Sequence, residues 1–273
     1  LELCCWFGQD VGGIFKVHGW VVSVSESSKS RARYALVTGA ARRIGACIAE
    51  SLHQRGFNVF LHYNGSGDAV GRLAEKLNAN RPESAFDLQA DLGKVEQIER
   101  MATQIRAVTG NLDLLVNNAS QFFPTRIGST TGSQWDALMD SNLRGPYFLT
   151  QALLNELSVA GGSIVNLLDV HANRPMREHA VYCMAKAGLQ MMTLALAKDL
   201  GPTIRVNGVA PGAILWPEQE LDSSHQQSIL KKVVMGRSGN PEDIASAVIY
   251  LGLDAPYVTG QVLAVDGGRS LNI

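Results

Sequence analysis

Seven short apolar runs, each set off by a longer stretch of different periodicity, dominate the chain after Arg33. They are YALVT (34–38), NVFLHY (58–63), SAFDLQA (84–90), LDLLVNN (112–118), SIVNLL (163–168), TIRVNGVA (203–210) and QVLAVD (261–266). The stretches between them, near 43–55, 68–79, 94–109, 133–158, 178–200 and 241–252, carry apolar residues at helical spacing. Such runs read as strands covered on both faces. Strands joined by crossover helices pair side by side in a parallel sheet, with helices packed on both surfaces. The pattern predicts one doubly wound α/β domain over 34–273, with a seven-stranded parallel sheet flanked by helices. No internal repeat at solenoid spacing competes with it.

Composition narrows the partners. The chain has 273 residues, 46% hydrophobic and 18% charged, with a net charge of −1. It is long enough to bury a large core. A balance so close to neutral gives no electrostatic case for nucleic acid or an anionic membrane, so a charged ligand needs a local site. The four cysteines, Cys4, Cys5, Cys47 and Cys183, form neither a metal-ligand spacing nor a disulfide framework. No metal is expected, and a reducing cytoplasm is the expected location. No apolar run approaches the roughly 20 residues of a membrane span. Residues 1–33 differ in texture: a patchily apolar segment, in which Val11–Val24 could form a strand, leads into the polar SVSESSKSRAR. A disordered or loosely packed appendage is expected there, and a secretory signal is a poor match.

Several local patterns bear on chemistry. TGAARRIG (38–45) follows the first strand and opens a helix, where a dinucleotide fold lays backbone N–H groups against a pyrophosphate. Gly39 permits the tight turn and Gly45 close helix–strand packing, while Arg43 stands where a central Gly is usual. An ordinary Gly-containing turn is the plain alternative. The second strand ends His62-Tyr63-Asn64 with no carboxylate, and an acid at that point is what holds an NAD ribose diol. Arg43, His62 and Ser66 are therefore expected to accept a 2′-phosphate, which favours NADP. Asp91, before Leu92, could bind an adenine amino group or cap a helix. Asn118-Ala119-Ser120 ends the fourth strand at the ligand-binding edge. Phe122 and Phe123 behind it are core caps or a platform for a flat ring. Asn142, mid-helix before Gly145-Pro146, suggests a kink. Pro211-Gly212 ends the sixth strand, and 213–235 reads as a lid.

Tyr182 and Lys186 stand four apart on one helical face, thirteen positions after Asp169. A solvated face explains the spacing equally well. As a functional pair, the ammonium would lower the Tyr pKa and make a proton donor usable near neutral pH.

In this order, TGxxxxIG, NNAS, the mid-helix Asn, YxxxK and the PG turn resemble the short-chain dehydrogenase/reductase family, over everything from Arg33 onward. Asp169 stands where that family usually has a catalytic Ser. Together with GAARRIG, LHYN, NNASxFxPT and DVHANRPMREHAVYCMAK, it resembles the pteridine reductase branch. The resemblance implies a Rossmann-type fold, NADPH-dependent reduction of a pterin and, commonly, a homotetramer. By position it implies that Asp169 and Tyr182 deliver the proton, Lys186 holds the nicotinamide ribose, and Asn142 continues a relay through water. It places Gly39, Arg43, Ile44, Gly45, Tyr63, Asn64, Ser66, Asp91, Leu92, Asn118, Ala119, Ser120, Lys186, Pro211 and Gly212 along the cofactor, with Ser120, Phe122, Asp169 and Tyr182 around the substrate. Asn64-Gly65 replaces a more basic pair seen in some members, leaving fewer phosphate ligands. A carboxylate suits the basic and N–H groups of a pterin, whereas a Ser hydroxyl suits a carbonyl oxygen. The competing expectations are a reductase of a small ketone or 3-oxoacyl thioester, which Asp169 disfavours, and a non-catalytic NADPH-binding regulator, which an intact relay disfavours.

Overall fold

The seven runs form one all-parallel sheet. The computed structural model describes residues 16–17, 20–21, 31–214 and 223–273. Its strands are β3 (Tyr34–Val37), β4 (Asn58–Tyr63), β5 (Ala85–Gln89), β6 (Leu114–Asn117), β7 (Ser163–Leu167), β8 (Arg205–Pro211) and β9 (Val262–Val265). They lie in the order β5-β4-β3-β6-β7-β8-β9. The order reverses between β3 and β6, and in such sheets the crevice at the carboxyl ends beside this reversal receives ligands. The chain divides into two units, Leu1–Ala32 and Arg33–Ile273. In the first, β1 (Lys16–Val17) pairs antiparallel with β2 (Trp20–Val21). The other residues of the expected Val11–Val24 strand lie outside the described residues.

Each strand serves both layers because successive side chains point to opposite faces. Ala35 and Val37 of β3, Val59 and Leu61 of β4, and Leu114 and Val116 of β6 enter one core. Their neighbours Leu36, Phe60 and Leu115 enter the other. Helices α1 (Arg43–Gln54), α2 (Gly67–Asn80) and α9 (Pro241–Ile249) cover the first face, while α3 (Val95–Val108) covers the second. This two-sided burial explains why the strands read as continuous apolar runs.

The stretch expected as one helix over 133–158 is divided. Here α4 (Gly132–Met139) passes into a π-turn, Asp140–Arg144, then α5 (Gly145–Ala152) and α6 (Leu154–Ala160). The kink expected at Asn142 is this π-turn. Gly145 allows it to sit close, since a Cβ there would lie 2.9 Å from both Leu92 Cβ and Leu92 O.

The long helix α7 (Ala180–Leu200) corrects one expectation about apolar length. Its 21 residues contain an 18-residue window of mean hydropathy 1.3, long and apolar enough to cross a membrane by that measure alone. Half of that window is buried in the fold. Tyr182, Ala185, Lys186, Leu189, Met192, Thr193 and Ala197 form the buried face, while Met184, Met191 and Leu194 are exposed on the other. The segment is thus apolar all round and works as a core helix. Of the lid expected at 213–235, the span 215–222 lies outside the described residues, and α8 (Ser223–Leu230) follows it.

The first turn is the tightest junction in the fold. Gly39 has φ 63°, and a Cβ on Gly45 would fall 2.1 Å from the Gly39 carbonyl oxygen and 2.6 Å from Asn118 Nδ2. Gly71 in α2 has nothing within 4 Å of that position. Gly45→Ala is therefore expected to cost about 2 kcal/mol by overpacking, whereas Gly71→Ala should stabilise by roughly 0.5–1 kcal/mol through helix propensity. Urea denaturation of the two variants checks the pair of opposite signs.

Candidate active site

Strand β7 runs through Leu168 into Asp169, whose extended backbone caps a short 3-10 turn, Val170–Ala172: Asp169 Oδ1 accepts the His171 N–H at 2.9 Å. That contact aims the other carboxylate oxygen at α7, where the Tyr182 hydroxyl donates to Asp169 Oδ2 at 2.8 Å. One helical turn on, Lys186 Nζ lies 5.7 Å from the centre of the Tyr182 ring. It donates to the carbonyl of Leu167 at 2.8 Å. The acid, the phenol and the amine thus meet at the end of β7.

Their ionisation departs from the expected one. Tyr182 is pushed well above its usual 10, by burial first and then by the Asp169 carboxylate. Burial lowers Lys186 to about 8, with Asp169 partly opposing the shift. The expectation that Lys186 depresses the Tyr182 pKa is therefore corrected for this arrangement. The carboxylate accepts a hydrogen bond from the phenol and holds its proton on the oxygen, so Tyr182 stands as a protonated donor at neutral pH.

Asn142 of the π-turn is fully buried, donating from Nδ2 to the carbonyls of Leu138 and Gln121, each at 3.0 Å. Its Oδ1 accepts from Ser120 Oγ at 2.7 Å. Asn142 therefore reaches the site through Ser120.

Two cavities share Ser120. The smaller, about 220 Å³, is lined by Arg43, Ile44, Asn118, Asp169, Tyr182, Lys186, Pro211 and Gly212, among others. The larger, about 460 Å³, is lined by Gly39, Arg42, His62, Tyr63, Asn64, Ser66, Asp91, Leu92, Ala119, Gln121 and Ser141, among others. They flank the turn that starts α1, whose first-turn N–H groups face a ligand by helix geometry. An elongated anionic molecule with a ring at each end fits this layout: a dipolar cradle in the middle and one cavity on either side.

Two cofactor expectations need correction. His62 is buried, its Nδ1 accepting the Gly39 N–H at 3.1 Å and its Nε2 meeting the Ala90 carbonyl at 3.0 Å. A carbonyl only accepts, so Nε2 carries the single ring proton. Burial lowers His62 to about 4, so it is a neutral brace for the turn and no phosphate ligand. Arg43 lines the catalytic cavity and does not line the one containing Ser66. Its neighbour Arg42, which the sequence reading passed over, lines the latter. Asn118 also does more than border a ribose: its Nδ2 donates to Thr38 O at 2.7 Å and Gly39 O at 3.2 Å. Asp91 Oδ1 accepts the Gly93 N–H at 3.0 Å, closing a turn while the residue lines the larger cavity.

Phe122 lines neither cavity. Its ring stacks on His179 with centroids 4.7 Å apart and planes 12° off parallel. It makes a T-shaped contact with the Tyr182 ring, centroids 4.9 Å apart and planes 80° from parallel. His179 lies within the DVHANRPMREHAVYCMAK segment, where the resemblance implies no role for it, although it stands three residues before Tyr182.

A family described as enoyl-(acyl carrier protein) reductase matches residues 39–270. The chain belongs to the short-chain dehydrogenase/reductase family. It is therefore an oxidoreductase using a nicotinamide cofactor. It is 36% identical to pteridine reductase 1 of Leishmania tarentolae, over 87% of this chain and 96% of that protein. It is 34% identical to the 3-oxoacyl-[acyl-carrier-protein] reductase FabG of Staphylococcus epidermidis, over 86% of this chain and 97% of that protein. The uncharacterized oxidoreductase YmfI of Bacillus subtilis is 33% identical over the same share of each.

The His62 brace yields a pH prediction. An unfolded imidazole takes its proton near 6.5, the folded one near 4. Between those values the unfolded chain binds more protons, so this contribution is intact above 6.5 and is lost as pH falls towards 4. The stability difference between wild type and His62→Gln should shrink by about 3 kcal/mol from pH 7 to pH 4. Urea titrations at a series of pH values read it directly.

Proposed function

We propose that the protein is an NADPH-dependent reductase of a dihydropterin. The single observation that carries this reading is the hydrogen bond from Tyr182 to Asp169, a carboxylate at the position where a ketone reductase needs a hydroxyl. An ionised carboxylate only accepts hydrogen bonds. It repels the oxyanion that develops on a carbonyl and attracts the N–H and amino groups of a nitrogen heterocycle. The relatives named above include both a pteridine reductase and 3-oxoacyl reductases, so the choice between them rests on this carboxylate.

The residues then take definite tasks. When bound, the nicotinamide supplies a hydride to the carbon of a ring C=N. Tyr182, held protonated, passes its hydroxyl proton to Asp169 Oδ2, and Asp169 relays that one proton to the ring nitrogen, so that C=N becomes CH–NH and a phenolate is left at Tyr182. Ser120, fixed by its bond to the buried Asn142, borders both cavities. Lys186, anchored on the Leu167 carbonyl, is placed to hold a ribose hydroxyl and balances the Asp169 charge. Positioning of donor and acceptor supplies much of the rate. The reading extends to a cytoplasmic location and to a homo-oligomer, commonly a tetramer in the resembled branch. Apolar side chains exposed on α7 and β9, among them Met191 and Leu263, suit an interface between copies.

NADPH oxidation with dihydrobiopterin, dihydromonapterin, dihydrofolate and an acetoacetyl thioester tests the assignment. Turnover of at least one dihydropterin is expected, with Tyr182→Phe lowering it by about a hundredfold or more. Asp169→Ser should impair it while NADPH affinity stays close to wild type. Turnover of the thioester alone would exclude the pterin reading.

Preference for NADPH follows from Arg42, Asn64 and Ser66 around the larger cavity and from the missing acid after β4. A guanidinium pairs with a 2′-phosphate through charge-assisted bonds. Arg42→Ala should weaken NADPH binding about tenfold or more and leave NADH binding nearly unaltered, as fluorescence titration would show. His62→Gln should not shift the ratio between the two cofactors.

A further inference from the structure

We propose that His179 is a positioning residue for the substrate ring: by stacking on Phe122 it sets the plane of an aromatic wall beside Tyr182, and so favours a flat heterocycle over an acyl chain. This rests on the pterin reading above.

The Phe122 ring is half exposed on a loop. An exposed loop aromatic has no fixed plane unless something holds it, and here the contacts are specific. At one end of the loop, Asn142 Nδ2 grips the Gln121 carbonyl. At the other, the Thr125 N–H donates to the Glu178 carbonyl at 2.6 Å, and Arg126 Nε pairs with Glu178 at 3.2 Å. Thr125 Oγ1 in turn receives the Val181 N–H at 3.4 Å, where α7 begins. Glu178 takes φ 61°, a left-handed conformation that costs a non-Gly residue energy and persists only when its surroundings hold it.

Between these clamps sits the stack itself. His179 Nδ1 lies 2.8 Å from the Arg177 carbonyl, an acceptor, so the ring is tethered edge-on to its own loop. One face of Phe122 is thereby covered by the imidazole, and the ring stands nearly perpendicular to that of Tyr182. A planar substrate that extends past Tyr182 beyond the smaller cavity reaches the half-exposed Phe122 ring, whose orientation is fixed relative to the proton donor. An extended acyl chain gains little from that orientation.

Two measurements decide it. The first is calorimetric binding of oxidised biopterin to enzyme saturated with NADP+. The second is KM for the dihydropterin and for an acetoacetyl thioester. His179→Ala should raise the biopterin Kd and the dihydropterin KM about three- to tenfold, the value of one aromatic pair, with the loss falling on KM more than on kcat. The thioester KM and NADP+ binding should not follow. His179→Phe, which keeps a ring without the imidazole, should recover binding to within about twofold of wild type. A wild-type-like Kd for His179→Ala, or an equal loss in His179→Phe at unchanged thermal midpoint, would overturn the inference and leave the pterin reading standing. Failure of the wild type to bind or reduce any pterin would overturn both.

Discussion

The hydrogen bond between Tyr182 and Asp169 joins the two elements on which the site depends. One partner ends β7, the other starts α7, and each would be ill-placed without the other's element packed against the sheet. The bond also decides the chemistry, because it places a negative charge beside the phenol. Burial and that charge act in the same direction on Tyr182 and in opposite directions on Lys186. A Tyr–Lys pair alone, as spacing suggests it, would be tuned towards phenolate. A Tyr–Asp–Lys cluster is tuned to keep the phenol proton.

Much of the fold was legible because it rests on period and run length. A strand buried on both faces must be apolar throughout, so all seven declared themselves, and the parallel order followed from the helical stretches between them. YxxxK and the Asp169 departure were legible for a related reason, since both lie on a regular element or at its end. Asn142 announced a kink through its polarity in an apolar helix, and the π-turn is that kink. The long apolar character of α7 misled a count of runs because polar residues such as Lys186 and Thr193, both buried, interrupt it in sequence but not in hydropathy averaged over a window.

What sequence could not supply was direction. His62 sits at the end of a strand, where a ligand-facing side chain and an inward-facing one look alike. Its two ring nitrogens found backbone partners on either side, and that pairing removed both its charge and its access to a phosphate. Asn118 likewise spends its amide on the carbonyls of Thr38 and Gly39. His179 had no neighbours in sequence to mark it, since its partner Phe122 comes from a loop fifty-seven positions away by residue number.

The adjacent arginines show how a single backbone torsion sorts function. Consecutive residues in a helix start would normally diverge by about 100° around the axis, and both could face one ligand. Arg43 instead adopts φ 55°, in the left-handed region where Gly usually stands in such turns. That conformation costs about 1–2 kcal/mol for a residue with a Cβ. Arg43 lines the catalytic cavity, while Arg42 lines the other with Asn64 and Ser66. A Gly at 43 would relieve the strain. The turn thus holds strain at the point where its two arginines part, one lining each cavity.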